Sequence, residues 1–143
     1  MAATGKAYPM LPKSLGDKLI DMDGDTLKVM LLSAYTYAAS HQFLDQVKAA
    51  GTESSSAVYT AGGATLASVT WTRSGDVYTL DAANVVWDAS VGTDAAFAVV
   101  YDSTPGTDAT RPVIGHVNLN GAGGVISVLG IDWNAAGILT VTA

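Results

Sequence analysis

The stretch Asp94-Ala95-Ala96-Phe97-Ala98-Val99-Val100-Tyr101 decides the reading of the fold. In extended form it sends Phe97, Val99 and Tyr101 to one side and Ala96, Ala98 and Val100 to the other. Both faces are apolar, so this strand belongs in the middle of a sheet covered on both sides. A candidate cover is a helix carrying Phe43.

Around it, short β-rich runs alternate with turn clusters, the pattern of a sandwich or barrel. Residues 26–33 place Leu27, Val29 and Leu31 on one face and Thr26, Lys28 and Met30 on the other. Residues 65–73 do the same with Ala67, Val69 and Trp71 against Ser68, Thr70 and Thr72. Ser74-Gly75 turns the chain tightly into a strand at 77–80. Further strands are read at 57–60, 84–87 and 112–117. Residues 125–133 and 138–142 read as a hairpin around Asn134-Ala135-Ala136-Gly137, where Gly137 supplies positive φ.

Before residue 57 the pattern changes. Ser40 reads as the N-cap of a helix near 41–49, with Phe43, Leu44 and Val47 on one face and Gly51 beyond its end. A weaker helix is read at 15–20, capped by Ser14. Residues 1–14 read as an extended N-terminal arm, because Pro9 and Pro12 lack amide donors and hold their neighbours extended. The expected fold is therefore mainly β. A β-sandwich-like domain with one packed α-helix spans 15–143, preceded by the arm.

Composition narrows the function. A chain of 143 residues suits one domain. With no cysteine it has no disulfide, thiolate metal site or Cys nucleophile. The five lysines and five aspartates of residues 1–48 cancel, whereas residues 49–143 set two arginines against eight acids and carry the whole net charge of -6. No basic stripe exists to neutralise phosphates, so neither nucleic acid nor anionic membrane is an expected partner. Residues 1–12 lack the basic start and apolar run of a signal peptide.

Candidate chemistry is sparse. Asp21, Asp23 and Asp25 put hard oxygen donors on alternate residues, yet Gly24 and Leu32 stand at the wrong places for an EF-hand loop. A solvated turn is the better reading. His41 and His116 lie far apart in sequence, outside any ligand spacing. No G-x-S-x-G elbow occurs. The sole glutamate, Glu53, lies in a polar stretch that reads as solvated, and Gly121-Ala122-Gly123-Gly124 reads as a loop between strands. Trp71, Trp87, Trp133, Tyr59 and Tyr78 offer a sugar-binding platform, although their alternation within strands favours core packing. Neither catalytic residues nor a metal or other cofactor is expected.

Several motifs in series carry a resemblance. They are the segment 15–32, Ser33-Ala34-Tyr35-Thr36-Tyr37, His41-Gln42-Phe43, and Tyr59-Thr60-Ala61-Gly62-Gly63-Ala64-Thr65-Leu66. Ala98-Val99-Val100-Tyr101, Pro112-Val113-Ile114-Gly115 and Trp133-Asn134-Ala135-Ala136-Gly137-Ile138 follow. In this order they resemble a family of small structural proteins of tailed bacteriophages. The resemblance implies a virion component made in the host cytoplasm. Its expected role is a capsid decoration protein on the head surface, bound to the major capsid protein. A minor tail or fibre module is the alternative, and a glycan-binding β-sandwich is a third reading.

Only 14% of residues are charged, against ~25% for an average domain, which suggests surfaces that meet protein, in a trimer or lattice array. Tyr8, Pro9, Met10, Leu11 and Pro12 are the expected contact residues. They are apolar, yet fall outside any periodic element that would bury them in their own core.

Overall fold

The computed structural model describes residues 2–3, 5–55, 59–86, 95–119, 130–133 and 136–142. The chain is mainly β. The described strands are β1 (Ala2–Ala3), β2 (Lys6–Ala7), β3 (Leu27–Tyr35), β4 (Gly51–Glu53), β5 (Ala64–Thr65), β6 (Thr70–Ser74), β7 (Val77–Asp81), β8 (Val85–Val86), β9 (Phe97–Asp102), β10 (Val113–Asn118), β11 (Gly130–Trp133) and β12 (Leu139–Thr142). Two short helices, α1 (Leu11–Gly16) and α2 (Leu44–Ala49), and a 3-10 turn at Asp108–Thr110 accompany them.

The main sheet runs β2-β10-β9-β3-β4, with β5 also paired to β3. The doubly apolar strand β9 is central, between β3 and β10, and Ala98, Val99, Val100 and Tyr101 are all buried. Cross-strand partners share a face. Val29, Val100 and Gly115 therefore line one face, and Met30, Val99 and His116 the other. A second sheet, β12-β7-β6, covers the first face: a Cβ placed on Gly115 would collide with the Leu139 side chain. On the opposite face, the Tyr8 ring meets His116 at 5.0 Å between centroids. A third sheet joins β1, β11 and β8.

The run expected as one strand at 65–73 is divided between two sheets. Ser68 takes φ 55, which no strand sustains, so β5 stays with β3 while β6 crosses to β7. The expected hairpin at 125–142 is also corrected. β11 pairs with β1 and β8, whereas β12 pairs with β7. Gly137 does take positive φ, at 108°, where a Cβ would meet Thr79 Cγ2 at 2.5 Å. Residues 57–58, 87 and 125–129 of the expected strands lie outside the described residues, as does the loop 121–124.

Ser40 is not the helix cap. The chain turns helical at Leu44, because Gln46 Oε1 reaches back to accept the amides of Gln42 and Phe43 at 2.7 and 3.0 Å. α2 is held to the 3-10 turn by Asp108, whose carboxylate bridges Lys48 at 2.8 Å and Arg111 at 3.1 Å. The helix expected at 15–20 sits instead at 11–16, with Pro12 in its first turn, where a missing amide costs nothing. It ends in a Schellman arrangement: Leu19 N bonds Ser14 O, Lys18 N bonds Leu15 O, and Lys18 adopts φ 59.

The largest correction concerns the arm. Residues 2–3 and 5–14 of it are stitched into the domain. β1 pairs with β11, β2 pairs with β10, Gly5 N bonds Ile138 O, and Tyr8 N bonds Ile114 O. Tyr8 and Leu11 are 0% exposed and belong to the core. These two cannot be the contact residues expected for a neighbour, because their own chain already covers them. Of the expected core, Leu27, Val29, Leu31, Leu44, Val99 and Trp133 are buried, while Phe43, Val69, Trp71 and Phe97 are half-buried.

Candidate functional site: the N-terminal turn and its aromatic cluster

Tyr8-Pro9-Met10-Leu11 forms a turn closed by the Leu11 amide on Tyr8 O at 2.9 Å. Its two ends are buried and its two middle residues are not. Pro9 is exposed and Met10 half-buried, and Pro12 beyond them is exposed. Tyr8 and Leu11 thus act as feet that present an apolar tip. Proline fixes its own φ, so presenting the tip costs little further entropy.

Beside this turn stands Tyr37, 43% exposed, one of two large apolar side chains so exposed among the described residues. Its ring stacks on His116 at 4.5 Å and 27°, and lies 5.9 Å from Tyr8. A rigidly backed aromatic at the surface is a good contact residue, since it has little rotamer freedom left to lose. His116 is half-buried, and burial together with Lys6 holds its pKa below the usual histidine range.

Behind the surface, Tyr8 links both histidines. Its hydroxyl meets that of Tyr35 at 2.8 Å, and Tyr35 meets His41 Nδ1 at 2.6 Å. Burial lowers the His41 pKa and favours the neutral ring, whose tautomer decides which of Tyr35 and Nδ1 donates. Burial raises the Tyr8 pKa strongly, which keeps that hydroxyl protonated beside Tyr35. The cluster braces the surface with polar bonds; it offers no activated nucleophile. Sequence spacing could not assemble it, because its members come from four separate segments. The alternation of Tyr35 and Tyr37 at the end of β3 was the one visible hint.

The remaining sequence candidates are structural. Asp21 Oδ1 accepts the amides of Asp23 and Gly24, each at 3.0 Å, and Asp25 Oδ2 accepts the Asp21 amide at 2.8 Å. The carboxylates therefore close their own turn. Among the described residues no three His, Asp or Glu side chains group so as to hold a metal ion. Glu53 is half-buried rather than solvated. Its Oε1 accepts the Tyr59 hydroxyl at 2.7 Å and the Gly62 amide at 2.6 Å, and Tyr101 donates to Gly62 O at 2.6 Å. This network fixes the Gly62-Gly63 turn, where a Cβ on Gly63 would collide with Val29 O. Trp71 stacks on Tyr78 at 5.7 Å, and Trp133 is buried; Trp87 lies outside the described residues. Among the described residues no helix is long and apolar enough to cross a membrane.

No protein-family model, curated protein or solved structure matches this chain.

Proposed function

We propose that this chain is a non-enzymatic structural protein of a phage particle, a decoration protein that binds the outer capsid shell. The motif series resembling small phage structural proteins suggests the class. The observation that carries the contact assignment is the apolar tip Pro9-Met10, anchored by buried Tyr8 and Leu11 beside the exposed, stacked Tyr37. A preorganised apolar tip loses little freedom on docking, so most of its burial counts toward binding. Tyr37, Pro9 and Met10 together would contribute roughly 3–5 kcal/mol per copy at ~25 cal/mol per Å², before association costs. A protein that binds only the assembled shell stabilises it by mass action. The partner is then the major capsid protein, with copies arranged as trimers or a lattice on the head.

Electron microscopy and copy number in purified particles test this reading. Hundreds of copies on the head support it, and loss of occupancy in a Pro9→Ser/Met10→Ser/Tyr37→Ser variant that melts like the parent supports the tip as contact. A few copies in the tail would make the chain a tail or fibre module instead, and absence from particles would end the virion reading.

A further inference from the structure

A cleft of about 440 Å³ opens between the turn that follows α1 and the second sheet. Its wall is Trp71 of β6, half-buried and backed by Tyr78 in a stacked arrangement. Its apolar lining comes from Leu15, Ile20 and Met22. Its rim is acidic, with Asp21, Asp23 and Asp25 set against the ammonium of Lys18.

The rim is negative beyond what the chain itself satisfies. One oxygen each of Asp21 and Asp25 holds the turn, whereas the exposed Asp23 carboxylate accepts no hydrogen bond among the described residues. Behind Asp25 stands a fourth carboxylate. Asp102 is 0% exposed and interacts with Asp25.

We propose that this cleft receives a basic side chain, an arginine by preference, from a protein partner. Trp71 lines the cleft, tryptophan is the side chain that best attracts a cation, and a planar guanidinium both stacks on such a ring and forks toward carboxylates. The aliphatic stem lies along Leu15, Ile20 and Met22, as long basic side chains do on apolar surface. A protein source rather than a free cation follows from Leu19. It is 37% exposed in the same turn as the lining residues Lys18 and Ile20, and so offers apolar surface that a free cation would leave uncovered. This inference does not rest on the virion reading: peptide binding tests the cleft alone, and particle occupancy tests the other.

The experiment is a nitrogen-15 NMR titration of the full chain with acetyl-Gly-Arg-Gly-amide, with the citrulline peptide as the neutral isostere. The arginine peptide is expected to move the Trp71 indole and the Asp23 and Gly24 amides, and the citrulline peptide to leave them in place. Asp23→Asn should weaken binding roughly two- to fivefold, as for one partly exposed ion pair. Asp23→Lys, which touches no core residue, should abolish it. Equal shifts with citrulline, unchanged affinity in Asp23→Lys, or the same amides answering only to calcium or to a neutral oligosaccharide would overturn the assignment.

Discussion

Leu139 on β12 lies directly over Gly115 on β10, so closely that glycine's missing Cβ is what allows the two sheets to meet. Leu139 is itself 1% exposed and has nowhere to retreat, and Lys6 O stands 3.1 Å from the same point. Gly115→Ala is therefore expected to cost roughly 1–3 kcal/mol through overpacking. Chemical denaturation checks this. Leu139→Val in the same chain should recover part of the loss, and the double-mutant cycle should show the coupling.

Tyr35 stands between two buried partners. Tyr35→Phe removes its hydroxyl and leaves both the Tyr8 hydroxyl and His41 Nδ1 without this hydrogen-bond partner. An abandoned buried polar group costs about 1–3 kcal/mol, so a loss in that range is expected by thermal melting. Phenylalanine keeps the ring that meets Phe97 edge-on at 6.0 Å, so the fold should survive.

Lys18 holds φ 59 at the position after the α1 C-cap, where glycine has no steric penalty. Lys18→Gly is expected to raise stability by about 0.5–1 kcal/mol, read as a higher melting temperature with an unchanged circular dichroism spectrum.

Asp102 makes stability depend on pH. Burial first, and the neighbouring Asp25 second, push its pKa up to about 6. The folded state thus holds this proton more tightly than the unfolded state does. Stability from this group is full below the unfolded carboxylate pKa and is lost as pH rises toward about 6. The loss is on the order of 2–3 kcal/mol. Asp102→Asn keeps an acceptor for the Thr104 amide and removes the titration. The gap between variant and parent should widen in the variant's favour from pH 4 to pH 7, measured by denaturant melts. A constant gap would show that Asp102 is not the group that titrates.

The central strand was legible because burial on both faces writes itself as an unbroken apolar run, and Phe97–Asp102 has no other place to go. The Ser74-Gly75 turn was legible for a local reason, since Gly75 takes φ 61 between paired strands. What escaped was decided at long range. Residues 67–72 alternate through Ser68, yet the chain must change sheets there. β11 and β12 adjoin in sequence but find different partners. Ser40 qualifies as a cap locally, but the Gln46 side chain and the long-range bridge of Phe43 to Pro112 set the later start. The candidate surface was half legible. Pro9 and Pro12 are exposed and Met10 half-buried, while Tyr37 comes to this surface only through its stacking on His116.

The same misjudgement of Tyr8 and Leu11 leads to the sharpest expectation for the whole chain. An extended arm would be dispensable, and a variant lacking residues 1–12 would fold and lose only its attachment. The observed contacts predict the opposite. Truncation removes both pairings of β1 and β2, the bonds of Gly5 to Ile138 and Tyr8 to Ile114, and two fully buried side chains. Losing a buried leucine costs about 2–5 kcal/mol and a large aromatic about 3–5. Together these equal much of the ~5–15 kcal/mol that holds an ordinary domain folded. Residues 13–143 are thus expected to melt without a cooperative transition at 25 °C, or to do so tens of degrees below the full chain. The Pro9→Ser/Met10→Ser variant, which leaves Tyr8 and Leu11 in place, should melt within a few degrees of the parent. Calorimetry on the two proteins separates the readings. A cooperative, parent-like melt of the truncated chain would mean that Tyr8 and Leu11 are passengers on the core and not its feet.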